Sequence, residues 1–154
     1  MPATGTSVRR WATGLVEQAP KRVAELPVWR DIVATPDPLL GTRALDPAID
    51  TMATVERIDV ELGADVTRAL LTAIPRLYHG SVADGLLAAL AMAVTRWRAK
   101  RHVVAPATLV KLEGHGREED VLPGADLSRT VGWFTSAYPV RLDLDGVDLD
   151  SAFA

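Results

Sequence analysis

The stretch TLVKLEGHGRE, residues 108–118, changes character halfway along. Thr108 to Leu112 reads as a strand, and the pleat puts Lys111 and Glu113 on the face opposite Val110 and Leu112. Gly114 and Gly116 then allow a sharp turn or a close backbone approach to a ligand. A carboxylate is thus held at the rim of a sheet, where α/β proteins place reactive groups. Two readings of Glu113 stand open on spacing. Partial desolvation of the rim would raise its pKa and suit it to general acid or base work. Alternatively, Glu113 pairs with Arg117 and simply orders a turn.

Downstream, RTVGWFTSAYPV (residues 129–140) gathers a tryptophan, a phenylalanine and a tyrosine, so physics alone predicts a core strand kinked at Pro139. Tyr138 to Leu144 continues as a strand, with Val140, Leu142 and Leu144 alternating against Arg141 and Asp143. Upstream, Ser81 and Asp84 have capping-box spacing, and Leu86, Leu87, Leu90, Val94 and Trp97 form an apolar helix face. The cations Arg96, Arg98, Lys100 and Arg101 complement the C-terminal dipole of that helix as a solvated face, with a docking patch as the alternative. Before it, Ile58, Val60 and Leu62 alternate as a half-buried strand. Asp65 then caps a helix carrying Val66, Leu70, Leu71 and Ile74 that Pro75 is expected to end. Ala34 to Ala53, broken by Pro36, Pro38, Gly41 and Pro47, reads as a long extended connection. Two helices come first: Ser7 to Ala19 with Val8, Trp11, Leu15 and Val16 as its stripe, and one opened by Pro27 with Trp29, Ile32 and Val33 on one face. The pattern is mixed α/β, without internal repeats.

Composition narrows the function. The 154 residues fit one ordinary domain, and 48% hydrophobic residues describe a foldable chain. Seventeen Lys plus Arg against twenty Asp plus Glu leave no broad basic surface, so nucleic acid is not an expected partner. Without cysteine there are no disulfides or thiolate sites, in keeping with a cytoplasmic setting. The longest apolar run, Leu86 to Val94, is too short to span a bilayer, so no membrane association is expected. His79, His102 and His115 match no local metal-ligand spacing, and no metal is expected. Ser81 and Ser128 lack a nucleophile elbow and read as caps or loop residues.

EGHGRE (113–118) and RTVGWFTSAYPV (129–140) together resemble two signature motifs of the epimerization domains of nonribosomal peptide synthetases, which belong to the condensation-domain superfamily. DGLLAAL (84–90) resembles a third, of the D-x-L-L-x-A type, and Trp11 within TSVRRWA, Trp29, LDPAIDT and RWRAKR fit the same family, so the likeness covers nearly the whole chain. Peptide-bond-forming relatives carry an asparagine-containing motif where this chain has Trp133 to Ser136, which favours the epimerization subtype. The resemblance implies an α/β fold, part of a chloramphenicol-acetyltransferase-like two-lobed αβα architecture. Residues 1–53 would form the end of the first lobe and the crossover, and residues 54–154 the first part of the second lobe. It also implies a segment incomplete at both ends, because the family's paired-histidine motif, H-H-x-x-x-D-G, has no counterpart here.

By the same resemblance, Glu113 is one of two acid/base groups that invert Cα of an L-aminoacyl or peptidyl thioester. The absent histidine is the other group or the enolate stabiliser. Gly114, His115, Gly116 and Arg117, with Glu118, would shape the loop, while Trp133, Thr135, Ser136 and Tyr138 would supply packing and tunnel wall. The substrate would arrive on the phosphopantetheine arm of a peptidyl carrier protein domain of the same synthetase, so no cofactor is bound directly. The alternatives are a condensation-domain segment and a noncatalytic remnant or interaction module. Taken alone, the chain is expected to be inactive and to expose sheet edges and helix faces.

Overall fold

The computed structural model describes residues 5–148. The described residues divide into two compact units, each discontinuous in sequence: one holds residues 5–35 together with Leu109–Arg141, the other Pro36–Thr108 together with residues 142–148.

In the first unit, α1 (Val8–Gln18) starts where Ser7 accepts the Arg10 N–H on its hydroxyl. Trp11 and Gly14 are its buried residues, whereas Val16 is exposed, so the apolar stripe is narrower than the spacing predicts. Packing at Gly14 is close: a Cβ there would stand 2.5 Å from Leu122 Cδ2. Pro20 does not stop the chain from turning. A 3₁₀ stretch, Ala19–Glu25, leads into α2 (Leu26–Val33), with Pro27 in its first turn as expected.

In the second unit, the connection after Thr35 is irregular apart from a 3₁₀ turn at Met52–Thr54, and Arg43 clasps Asp50 through two bonds of 2.7 Å. Residues 56–62 are not a strand. Ile58 is 89% exposed, and among the described residues the only ladder joins two other segments. Alternation specifies which faces a strand would present, but a strand also needs a neighbour to take its N–H and C=O groups. Helix α3 (Ala64–Arg68) starts after Gly63 rather than at Asp65, which lies in its first turn. A π turn, Ala69–Ala73, follows, in which the Ile74 N–H reaches the Ala69 carbonyl five residues back. This wide turn delivers Pro75 to the first turn of α4 (Ile74–Tyr78), where no N–H is needed, so Pro75 begins a helix instead of ending one. His79, at φ 53°, closes α4 in the left-handed region.

Helix α5 (Val82–Ala99) has the capping box its sequence spells. The Ser81 hydroxyl accepts the Asp84 N–H, and Asp84 accepts the Ser81 N–H at 2.7 Å. Its bonds from Ser81, the backbone one foremost, hold the Asp84 carboxyl below its ordinary range. The expected apolar face is only partly covered: Leu87, Val94 and Trp97 are half-buried, Leu86 and Leu90 are exposed, and the fully buried residues of the helix are Ala91 and Arg98. Arg98 overturns the reading of a solvated cationic end. It is 1% exposed, donating to Asp37 Oδ1 at 2.7 Å, the Pro38 carbonyl at 3.0 Å, the Ala107 carbonyl at 2.9 Å and Thr108 Oγ1 at 3.2 Å. The guanidinium fork thereby satisfies acceptors on the irregular connection and at the start of the following strand together. Arg101 stacks on Trp97 at 3.5 Å.

Strands β1 (Ala107–Gly114) and β2 (Ser136–Asp143) form a two-stranded sheet. Its sense is antiparallel, since the Leu144 N–H donates to Pro106 at one end and Gly114 lies against Ser136 at the other. The alternation set by the Leu144–Pro106 bond leaves position 139 with its nitrogen directed away from β1, so the missing N–H of Pro139 costs no bond to β1.

Lysine at Arg98 keeps the charge but cannot hold four acceptors on two separate segments. Arg98→Lys should therefore destabilise the protein by about 2 kcal/mol, read as a lower urea midpoint with an unchanged slope. A wild-type midpoint would contradict the packing role.

Candidate functional site

The loop that leaves β1 is built from residues 113–119 and rests on the segment 125–134 of the same unit. Glu113 is exposed on the same strand face as Lys111, opposite the half-buried Val110 and Leu112, as the pleat requires. Among the described residues its carboxylate has no hydrogen-bond or ion-pair partner. The expected Glu113–Arg117 pair does not form because Arg117 is committed elsewhere. It donates to the Leu127 carbonyl at 2.6 Å and the Thr130 carbonyl at 2.9 Å, and it lies 4.2 Å over the Phe134 ring.

Of the two glycines, Gly116 has the stronger requirement. Its φ is +66°, and a Cβ would collide with the Phe134 carbonyl oxygen. At Gly114 the nearest atom to such a Cβ is the Ser136 hydroxyl at 3.3 Å, the tip of a side chain that can rotate. The close approach that the glycines permit is therefore, at Gly116, an approach to the chain's own backbone. His115 is exposed, its Nδ1 accepts the Arg117 N–H at 3.0 Å, and Glu118 stands 3.8 Å from the same nitrogen. Sequence reasoning missed Glu119, whose Oε1 accepts the Leu127 N–H at 2.5 Å.

Leu127, 0% exposed, thus has its N–H and its carbonyl both held by side chains from the loop after Glu113. Thr6 braces the other side of this turn. Its N–H donates to the Asp126 carbonyl at 2.7 Å, its hydroxyl accepts the Asp126 N–H at 2.9 Å, and its carbonyl accepts the Thr130 hydroxyl at 2.6 Å. Ser128 donates its hydroxyl to Asp126 Oδ1 at 2.6 Å and, with its own N–H, holds that carboxyl below the ordinary range. Ser81 as a helix cap and Ser128 as a turn residue match the sequence reading.

Residues 129–135 do not form the expected core strand. Trp133 is 89% exposed, only Phe134 is drawn inward, beneath Arg117, and β2 starts at Ser136. The backbone of this segment is instead held by side chains, the Thr130 carbonyl by Arg117 and the Thr130 hydroxyl on the Thr6 carbonyl, and it pairs with no strand among the described residues. Thr135 and Ser136 are exposed, and Tyr138 partly so, with its ring edge near Gly114. The structure therefore brings Gly116, Arg117 and Phe134 into one cluster and Gly114, Ser136 and Tyr138 into another, leaving Glu113, His115 and Trp133 open to solvent. A groove of about 380 Å³ on the sheet is lined by Val33, Leu109, Lys111, Ala137, Tyr138 and Pro139, and neither Glu113, His115 nor Trp133 lines it. No group of three or more His, Asp and Glu among the described residues is arranged to hold a metal ion. No single helix there is long and apolar enough to cross a membrane.

Comparison with known proteins gives this arrangement a family. Residues 8–154 match the condensation domain family. One of the linear gramicidin synthase proteins of Brevibacillus parabrevis is 42% identical over 146 residues, 94% of this chain but 2% of that protein. Tyrocidine synthase 1 of the same organism is 32% identical over 94% of this chain and 13% of its own length. The crystal structure of the epimerization domain from the third module of tyrocidine synthetase B superposes with a TM-score of 0.70 at 30% identity, covering 98% of this chain and 33% of that one. The helices and strands described above are thus part of the chloramphenicol-acetyltransferase-like α/β fold of such domains, as the motifs imply. With the family matched over residues 8–154, the chain belongs to the condensation-domain family and is a segment of a condensation-type domain of nonribosomal peptide synthetases.

Proposed function

We propose that this segment serves an epimerization domain, one that converts an L-aminoacyl or peptidyl thioester into its D form. The observation that carries the proposal is the coincidence of EGHGRE and RTVGWFTSAYPV with a match to a solved epimerization domain over 98% of the chain. On this reading residues 1–53 are the end of the first lobe and the crossover, and residues 54–154 open the second lobe. The substrate is presented on the phosphopantetheine arm of a carrier domain of the same cytoplasmic synthetase.

Inversion at Cα requires one proton to leave on one face and another to arrive on the opposite face. When the Cα–H bond breaks, its electron pair moves into the thioester carbonyl to give an enolate. Protonation of Cα from the other side restores the thioester with inverted configuration. Glu113 is one of the two acid/base groups. Its exposed carboxylate, free of partners among the described residues, is open to a substrate that approaches the end of β1. The second group, a histidine of the paired motif in the intact domain, serves the other face or holds the enolate. Gly116 and Arg117 keep the loop folded back on Phe134 and away from the carboxylate.

The test is to offer a carrier-bound L-aminoacyl thioester to the full-length protein in deuterium oxide. The D isomer, bearing solvent deuterium at Cα, is the expected product. Glu113→Gln should reduce its formation by about a hundredfold or more with the fold intact. Amide formation with an acceptor thioester, without exchange at Cα, would instead assign the segment to peptide-bond formation.

The glycines separate in the same assay. Gly116→Ala forces Cβ onto the Phe134 carbonyl and should lower the melting temperature and the turnover together. Gly114→Ala should cost far less stability, because only the Ser136 hydroxyl needs to move. Equal melting temperatures for the two variants would refute this distinction.

A further inference from the structure

Glu113 sits on a strand end with no hydrogen-bond or ion-pair partner among the described residues, so its place is set by the backbone on either side. On one side that backbone is β1. On the other it is residues 114–118, which follow no regular ladder beyond Gly114 and are held where Gly116 meets the Phe134 carbonyl, where Arg117 binds the segment around Leu127, and at Glu119. There the Glu119 carboxylate takes the Leu127 N–H, while Arg117, two residues earlier, takes the Leu127 carbonyl. We propose that Glu119 is a positioning residue for Glu113: by anchoring the loop to the buried Leu127 turn, it fixes the trajectory on which the Glu113 carboxylate stands. The inference rests on the proposed epimerase reading for its functional consequence, but not for the anchor itself.

Three features favour this role over an ordinary surface contact. The bond joins segments on opposite arms of the loop, and its partner residue is completely buried. The turn it grips cannot drift, because Thr6 binds Asp126 and Thr130 through its N–H, hydroxyl and carbonyl. The loop cannot relax through Gly116 either, since that residue is pressed against the Phe134 carbonyl. Losing the Glu119 acceptor leaves Leu127 gripped from the loop by Arg117 alone among the described side chains, and small misplacements of a catalytic group are costly in rate.

The experiment compares Glu119→Ala with Glu119→Gln in the full-length protein, at a temperature where each variant is folded. Glu119→Ala should lower kcat for D-isomer formation about tenfold or more with KM within about twofold, and should speed hydrogen exchange of the Leu127 amide. Glu119→Gln, whose amide oxygen can still accept that N–H, should restore both. Wild-type kcat in Glu119→Ala, or equal impairment of the two variants, would overturn the proposal. Should Glu119→Ala not fold, Thr6→Val decides, because it removes only the hydroxyl bracing the same turn. A kcat loss rescued by Thr6→Ser supports positioning through the turn, and wild-type kcat refutes it. If the unmodified protein forms no D isomer, the epimerase reading fails while Leu127 exchange still tests the anchor; if it does and Glu113→Gln remains active, the role of Glu113 fails and the present inference with it. If Glu113→Gln is inactive and Glu119→Ala is fully active, only the present inference fails.

Discussion

The guanidinium of Arg117 is the interaction on which the first unit's functional loops depend. Loop backbone carries as many carbonyls as a helix but has no ladder to pair them. Here the Leu127 and Thr130 carbonyls converge on a single planar fork that also covers the Phe134 ring. A lysine would present one charge where three contacts need direction. This one side chain lets EGHGRE and the start of RTVGWF, separate in sequence, fold as one hydrogen-bonded body, and it explains why the cation is not available to Glu113.

The second unit solves the same problem in the same way. Arg98 reaches from α5 to carbonyls at Pro38 and Ala107, to the Thr108 hydroxyl and to Asp37, so a long irregular connection and the beginning of β1 share one donor. Burying a guanidinium is costly unless its bonds are made, and nearly all of them are. The long connection, which its prolines deny any regular structure, is tied down by a residue 60 positions away. An ion pair on a solvated helix face would not accomplish this, since exposed pairs contribute little.

What is legible in the sequence is what depends on near neighbours. Ser7 and the Ser81–Asp84 box mark helix starts because capping involves residues three apart, Pro27 marks one because a first turn needs no N–H, and the alternation around Lys111 and Glu113 fixes their shared face. The motifs make the family readable as well, and residues 8–154 match it. Apart from the cap of α3, which falls two residues before Asp65, the features that sequence reading gets wrong depend on distant partners or on an irregular turn. Residues 56–62 alternate correctly yet have no ladder, Pro75 is accommodated by a π turn, and Arg98 reads as part of a solvated face because no local rule registers Asp37 or Ala107. The apolar side of α5 is legible as apolar, but the chain spans only 33% of the solved epimerization domain it matches, and Leu86 and Leu90 are only partly covered by the described residues.

Within EGHGREE the charged groups divide their work by commitment. Arg117 and Glu119 are spent on the polar groups of a buried turn, and Glu118 stands beside the His115 imidazole. Glu113 alone of the three carboxylates is uncommitted among the described residues, and it is also the one on a regular strand. A proton-transfer group needs both properties. A carboxylate already accepting strong hydrogen bonds is a weaker base, and one on an unanchored loop cannot be kept within reach of a carbon acid. On the proposed reading, the other charges in the motif therefore serve the chemistry through the structure: Arg117 and Glu119 satisfy the polar groups of the Leu127 turn, and the carboxylate at the start of the loop is left without a partner among the described residues.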